Sequence, residues 1–396
     1  MTSPYKIKTL TPVHIGSGEE LLGNYRFVYF PQEKCISVID DGKVLQAIGE
    51  ENLGAWISEL DNQRSLLGYI QNIRKLNISP EDISQRILPM QGPGPNLQNG
   101  QKYHSIREQI SSAGRPCIPG SSLKGAIRTA ILALYLDEDE DPHFYNKKHN
   151  LTNRRKKFDD QNLQKRLIGK DPNHDLFRLL RVGDACFTHS ECTLARSVNQ
   201  KGKYSWSFEN RLQQYVEYIP AGEESEVCLS FAHFLEKIAS QTKVLSGGSF
   251  KDRNASGQKY LLFDGFHPQD LNPDEKLFHY LNQHTKILIE NEFAFWDGQR
   301  DYPSEVAVYL EKLEEIGEQL DEWIESKHTD QCIIRLGWGT GFKNITGDWQ
   351  EEKLPKNLVE ALKKSFGPRH PSYLPFPKTR RMDYFGVPFG FVHISS

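Results

Sequence analysis

Residues 117–128 read CIPGSSLKGAIR and combine a chain turn with the start of a helix. The dipeptide Pro119-Gly120 ends the extended segment that precedes it. Ser121 or Ser122 can then cap a helix over residues 123–136, where apolar side chains recur every three or four positions. The stretch therefore predicts an extended segment, a turn and an amphipathic helix in succession.

Two basic side chains occupy the first turns of this predicted helix. Lys124 and Arg128 are spaced so that they lie on one face. The free N–H groups of a helix start and the positive end of its dipole favour an anion at the same place. Two interpretations stay open: a site for a phosphate-bearing ligand, and an ordinary capped helix with two solvated cations.

The composition describes a globular chain with segregated charge. The 396 residues suggest two domains, and the net charge of −3 does not mark the whole molecule as a nucleic-acid binder. An acidic run at 137–141 is followed by a basic run up to Lys170. Cations are in excess from Lys363 to Arg381, while residues 301–325 are strongly acidic. Such patches suit an anionic ligand on one face and protein contacts on another, although any single run can simply be solvated.

The cysteines and the apolar segments argue against several classes of protein. The six cysteines have no CxxC spacing, so we expect reduced thiols and neither a structural metal nor a cofactor. Neither a membrane-length apolar run nor the apolar region of an export signal is present. The expected location is the cytoplasm.

Strand-like and helix-like segments alternate irregularly along the chain, which predicts an α+β fold. Strands are predicted at 5–10, 25–30, 35–39, 179–182, 185–188, 215–220, 226–231 and 331–336. Helices are predicted at 43–56, 65–76, 123–136, 274–293, 304–326 and 357–366. We predict an N-terminal domain at 1–205, with a polar insertion near 137–175, and a C-terminal domain at 206–396.

A glycine-rich loop at 337–347 follows the last predicted strand. Alternating glycines let a backbone approach another closely and turn N–H groups toward an anion. Trp338 and Phe342 are flat surfaces suited to base stacking, and Lys343 adds a charge. The spacing matches neither a dinucleotide fingerprint nor a Walker loop. The alternative is a tight hairpin whose aromatic side chains pack inward.

Three loops in this order resemble those of a known family. They are TPVHIGSG at 11–18, IPGSSLKGAIR at 118–128 and GWGTG at 337–341, with RVGDA at 181–185 between the last two. The set is similar to the RAMP proteins of CRISPR–Cas systems, which are built from ferredoxin-like folds. Chain length and the segment YIPAG at 218–222 resemble most the two-domain RAMP subunit of the type III-A (Csm) effector, which caps the 3′ end of the guide RNA.

The resemblance implies a non-catalytic RNA-binding subunit of an antiviral ribonucleoprotein. Its partners would be the guide RNA (crRNA), other RAMP and small subunits, target RNA indirectly, and a host trimming nuclease. Contacts to the backbone suit a protein that accepts any guide sequence. The implied RNA-contacting residues are His14, Gly16, Ser17, Gly120, Ser121, Ser122, Lys124, Arg128, Gly337, Trp338, Gly339, Gly341, Phe342 and Lys343.

Three other functions remain open from the sequence. In a Cas6-like endoribonuclease that processes precursor crRNA without a metal, His14 would act as the acid or base. In a metal-dependent nuclease, Asp184 would be the candidate ligand, although a turn or capping role suits it better. A scaffold that contacts only proteins would leave Lys124 and Arg128 unexplained.

Overall fold

The structure is a computed structural model that describes residues 4–61, 66–75, 77–97, 105–135, 175–201, 205–232, 268–274, 276–326, 330–341, 344 and 379–396. It is a mixture of antiparallel-rich sheets and helices, so the predicted α+β class is confirmed. The predicted helix at 357–366 and nearly all of the insertion near 137–175 lie outside these residues.

Strands supply most of the described elements. In chain order they are β1 Tyr5–Thr9, β2 Gly16–Leu22, β3 Phe27–Phe30, β4 Cys35–Ile39, β5 Ser84–Gln91, β6 Ser105–Gln109, β7 Ser111–Ser112, β8 Arg115–Ile118, β9 Leu180–Val182, β10 Ala185–Cys186, β11 Glu191–Gln200, β12 Trp206–Phe208, β13 Gln214–Tyr218, β14 Glu224–Val227, β15 Leu229–Phe231, β16 Gln331–Arg335, β17 Thr379–Met382 and β18 Phe391–Ser395.

Helices connect and cover the sheets. They are α1 Asp41–Ile48, α2 Leu53–Asp61, α3 Leu66–Gly68, α4 Gly120–Tyr135, α5 Leu277–Trp296 and α6 Glu305–Glu325. Short helical turns occupy Glu50–Asn52, Tyr69–Ile73, Pro80–Asp82, Leu176–Leu179, Asn210–Leu212 and Pro268–Leu271. The predicted helix at 43–56 is interrupted because Gly49 has a φ of 84°, which ends α1.

The first sheet joins the two ends of the described chain. Its order is β14-β1-β18-β16, and every pairing is antiparallel. Ile7 in β1 lies opposite Ser225 on one side and opposite Ile394 on the other. Long-range pairing of this kind has no local sequence signal.

A nine-stranded sheet follows the path β2-β6-β13-β11-β5-β4-β3, with β12 and β17 also paired to β11. Two small sheets, β10-β8-β7 and β15-β9, complete the described strands. Both larger sheets take strands from each side of the predicted 205/206 boundary. The division into domains at that point stays a prediction.

Neighbouring residues of a strand point to opposite faces of the sheet. Both faces of the first sheet are covered by a hydrophobic core. Cys332 and Ile334 of β16 face a core formed with α4 and the start of α5. Ile333 faces a second core that contains the buried side of α6. In α6 the buried side chains recur at helical spacing, as predicted: Val306, Tyr309, Leu313, Ile316, Leu320 and Trp323.

The edge of β16 is covered by polar side chains of α5. The Asn282 amide accepts from the Ile333 N–H at 2.9 Å and donates to the Gln331 carbonyl at 3.1 Å. The Thr285 hydroxyl donates to the Ile333 carbonyl at 2.7 Å. These bonds satisfy an edge that would otherwise present unpaired backbone groups. They place β16, and the glycine loop that follows it, firmly against the helices.

Candidate nucleic-acid interface

Two loops that are distant in sequence form one surface. The Trp338 N–H donates to the His14 carbonyl at 2.8 Å, and the Gly390 N–H donates to the Pro12 carbonyl at 2.8 Å. Gly337 has a φ of +88°, and a Cβ there would lie 2.7 Å from the His14 carbonyl oxygen. Glycine is therefore needed at 337 for the backbone conformation and for the close approach. The predicted site segments 11–18 and 337–341 are neighbours.

His14 lies inside the protein beneath this surface. Its side chain has 0% exposure, and Nδ1 donates to the Glu217 carbonyl at 2.5 Å. Nε2 is buried and has no hydrogen-bond partner among the described residues, and it lies close to Gly16. Burial lowers the pKa of His14 to about 4. The ring is neutral and closed off from a substrate, so this geometry gives no support to an acid or base role for His14.

A buried ion network holds the strand that bonds His14. Glu217 is 3% exposed and receives two hydrogen bonds from Arg86, at 3.2 and 2.9 Å. Its carboxylate also accepts from the Ser190 hydroxyl at 2.9 Å. Arg86 also donates at 2.7 Å to Glu108 in β6, the strand that pairs with β13. The network joins β5, β6 and β13, so we assign it a structural role.

We expect His14 to make stability depend on pH between about 7 and 5. The unfolded chain binds a proton with a pKa near 6.5, whereas the folded pKa is about 4, so stability falls as the pH drops through this window. The expected loss from this group is about 2 kcal/mol between pH 7 and pH 5. His14→Asn keeps a donor for the Glu217 carbonyl and does not titrate.

Urea unfolding of both proteins at the two pH values measures this difference. His284, whose pKa burial also lowers to about 4, contributes equally to both proteins and cancels. An equal loss of stability in parent and His14→Asn variant would contradict the assignment.

Trp338 packs inward from the glycine loop. It is half-buried, and its ring meets His14 and Phe389 edge to face at centroid distances of 5.6 and 5.7 Å. It rests on a small cluster that includes Ala195 and Val216. Trp338 thus packs inward, as the hairpin alternative predicted. Stacking of an RNA base on its ring stays a prediction. Phe342 and Lys343 lie outside the described residues.

Two arginines that the sequence patterns did not single out lie on Trp338. The guanidinium carbons of Arg381 and Arg107 are 4.9 and 5.7 Å from the centroid of the indole ring. Arg381 belongs to the cationic excess at 363–381, which gave a weak signal. Arg107 lies in β6, a strand that the sequence patterns do not predict, and only the pairing of β6 within the sheet brings it to Trp338.

A cleft opens beside the loop, between it and the two long helices. Its lining residues include three arginines and one carboxylate, together with polar groups of the loop: Glu292, Arg335, Gly339, Thr340, Gly341, Asn344, Arg380 and Arg381. Glu292 binds Arg380 at 2.7 Å, and Arg335 donates to the Phe389 carbonyl at 2.9 Å. The described lining therefore carries an excess of positive charge.

The start of α4 is occupied by a carboxylate of the chain itself. Asp184 accepts from the Gly120 N–H at 2.7 Å, and a Cβ at 120 would lie 2.3 Å from the Val182 carbonyl. The predicted serine cap is wrong, because the side chains of Ser121 and Ser122 make no hydrogen bond within the described residues. The nearby serines therefore do not cap α4; the carboxylate of Asp184, which is distant in sequence, does so instead. Asp184 thus has the capping role.

Lys124 and Arg128 also have internal partners. Lys124 donates to the Leu180 carbonyl at 2.8 Å, and burial lowers the pKa of its ammonium group. Arg128 forms a 2.7 Å ion pair with Asp175. Any phosphate would have to compete with these contacts, so their role in RNA binding stays a prediction. Ser17 is exposed near the other loop, where its hydroxyl lies 3.3 Å from Glu108.

Two other kinds of feature are absent from the described residues. No group of three or more His, Cys, Asp or Glu side chains there is arranged to hold a metal ion. In the same part of the chain, the helices are too short or too polar to cross a membrane. The six cysteines are free.

Comparisons with known proteins give a family and two relatives. A family model described as the RAMP superfamily matches residues 6–344. "CRISPR system Cms protein Csm5" of Methanocaldococcus jannaschii is 25% identical over 366 residues, which cover 87% of this chain and 73% of the relative. The protein of the same name from Streptococcus thermophilus is 29% identical over 199 residues, which cover 46% of this chain and 51% of the relative.

Two solved structures share the fold. A chain in the "Cryo-EM structure of Csm-crRNA-target RNA ternary complex in type III-A CRISPR-Cas system" aligns over 100% of both chains, with a TM-score of 0.64 and 21% identity. The "Crystal structure of T.onnurineus Csm5" aligns over 98% of this chain and 99% of that chain, with a TM-score of 0.60 and 20% identity. The mixed sheets and helices are consistent with the predicted ferredoxin-like RAMP construction.

Proposed function

Because the chain belongs to the RAMP superfamily, we propose that it is a non-catalytic, guide-RNA-binding subunit of a type III-A (Csm) CRISPR ribonucleoprotein. It binds the 3′ part of the crRNA, caps the backbone filament and supports crRNA maturation in antiviral defence. Its partners are other RAMP and small subunits, with target RNA contacted indirectly and a host nuclease recruited for trimming. Two curated relatives named Csm5 support this assignment.

The observation that carries the proposal is the exposed backbone of the glycine loop. Gly337 and Gly341 are exposed, both have a positive φ, and a Cβ at 341 would meet no atom of the described residues within 4 Å. The hydrogen bond from the Trp338 N–H to the His14 carbonyl holds this loop in place, and three arginines lie in or beside it. A fixed, exposed backbone with nearby cations suits RNA contacts that do not depend on sequence. We assign Gly16, Ser17, Gly337 and Gly341 to the RNA-facing side, with His14 and Trp338 as its support.

We predict that Gly341→Asn weakens binding of single-stranded guide RNA about tenfold, which corresponds to about 1.4 kcal/mol. Asparagine tolerates a positive φ better than most residues, and at 341 its Cβ has no close neighbour among the described residues. The variant should therefore stay folded while it obstructs the approach of the RNA. The measurement is RNA affinity of the purified protein, together with the RNA and subunits recovered on the tagged protein from cells.

Gly298→Asn is the matched control. Gly298 is also exposed and has a φ of +72°, and a Cβ there would meet no described atom within 4 Å, but it follows α5. We expect this variant to recover guide RNA and the other RAMP subunits as the parent does. A parent protein that recovers neither would refute the proposed function, and a Gly341→Asn protein with full affinity would refute the role of the loop.

A further inference from the structure

Arg107 and Arg381 reach Trp338 from two strands that are not neighbours. Arg107 is in β6 and Arg381 is in β17, and β13 and β11 lie between them in the sheet. Val216 of β13 and Ala195 of β11 pack with Trp338 on the intervening surface. Both guanidinium carbons lie within 5.7 Å of the indole centroid. The aromatic ring therefore holds two partly exposed cations at defined positions beside the glycine loop.

The charges of this pair are not neutralised within the described residues. Neither guanidinium group forms an ion pair or a hydrogen bond there, and the buried Nε atom of each has no acceptor. Glu20 lies opposite Arg107 in the β2–β6 register but makes no ion pair with it. Three other arginines each hold a carboxylate at 2.7–2.9 Å: Arg86 with Glu217, Arg196 with Glu305 and Arg380 with Glu292.

This arrangement is electrostatically unfavourable in the free protein. Burial, and then the positive charge of Arg107, lower the pKa of Arg381. A guanidinium stays protonated at neutral pH, so the repulsion is not relieved by loss of a proton. Stacking on Trp338 offsets part of it. An anion bound between or beside the two groups would remove the remainder, which is the behaviour expected of a binding site and not of a structural contact.

We propose that Arg107 and Arg381, held on Trp338, bind backbone phosphates of single-stranded RNA, and that this pair supplies the charge that Lys124 and Arg128 cannot. The inference rests on the proposed function and names the RNA-binding residues within it. The planar guanidinium group matches the geometry of a phosphate, and contacts to phosphate do not depend on the guide sequence. Lys124 and Arg128 are bonded internally, whereas this pair is not.

The test compares two double variants that remove the same charge. They are Arg107→Gln with Arg381→Gln, and Lys124→Gln with Arg128→Gln, measured with the parent protein on a single-stranded guide RNA over a range of salt concentrations. We expect the first to flatten the slope of log affinity against log salt by about 1.4, since each lost phosphate contact removes about 0.7. We expect the second to leave the slope unchanged. Arg107→Lys with Arg381→Lys retains the charge, so it should keep the slope while affinity falls about tenfold.

Each outcome decides between the alternatives. The melting temperature of the Arg107→Gln/Arg381→Gln variant should not fall, because the substitutions remove the repulsion between two positive charges. If it does fall, the Arg107→Lys/Arg381→Lys variant, which retains the charges, still tests the phosphate contacts through its affinity. An unchanged slope in the Arg107→Gln/Arg381→Gln variant, or a flatter slope in the Lys124→Gln/Arg128→Gln variant, would overturn the inference and leave the proposed function standing. Normal RNA affinity with loss of incorporation into the complex would assign the pair to an acidic protein partner instead. Absence of RNA binding by the parent would refute the proposed function as well.

Discussion

Glu217→Ala is expected to lower the free energy of unfolding by about 3–5 kcal/mol, the usual effect of removing one partner of a buried ion pair. The substitution leaves Arg86 without its bidentate partner, and it removes the acceptor of Ser190. The same strand carries the carbonyl that binds His14, so the loss should extend to the segment beneath the glycine loop. Urea unfolding at neutral pH measures the effect.

Glu108→Ala is the control for this prediction. Glu108 binds the same Arg86 nitrogen at 2.7 Å, but its side chain is 22% exposed compared with 3% for Glu217. Water can replace its contact, so we expect a loss of about 1 kcal/mol or less. Equal losses for the two variants would mean that burial does not determine the strength of this network.

Gly390→Ala is expected to cost about 2–5 kcal/mol, the sum of the strain of an L-residue at positive φ and the cost of overpacking. Gly390 has a φ of +98°, and a Cβ there would lie 2.3 Å from the Leu336 carbonyl oxygen and 2.5 Å from Thr340 Cγ2. Gly390 also bonds Leu336 and Pro12 through its backbone. An added methyl group would force apart the segments that form the candidate interface.

Gly341→Ala separates the two contributions. Gly341 has nearly the same φ, +89°, but no atom of the part of the chain that the structure describes lies within 4 Å of its Cβ position. The expected cost is about 1–2 kcal/mol, from the backbone conformation alone. Thermal or urea unfolding measures the stability of both variants. The difference between their losses is the cost of the close contacts at position 390. If Gly390→Ala were no less stable than Gly341→Ala, the tight contact at 390 would be wrong.

Local patterns predicted many elements correctly. The alternation in Tyr5–Thr9 and the helical spacing in α4 and α6 reproduce the observed strand and helices within a few residues. The long strand β11 escaped detection because several of its buried residues are polar, among them Thr193, Ser197 and Gln200. The sequence patterns do not predict strand β18, and only its pairing with β1 and β16 reveals its place.

The α+β class, the position of the turns and the order of the loops that resemble the RAMP family can all be read from the amino-acid sequence. These features depend on residues close together in the chain, whose spacing and backbone preferences can be read directly. Tertiary structure alone decided which charges are available to a ligand. Lys124 and Arg128 looked free along the sequence but are bonded to segments at 175–180, whereas Arg107 and Arg381 meet on Trp338 without a carboxylate partner among the described residues. Whether a cation is neutralised depends on which side chains lie beside it in space. Those neighbours are determined by strand pairing between segments that are far apart in the sequence.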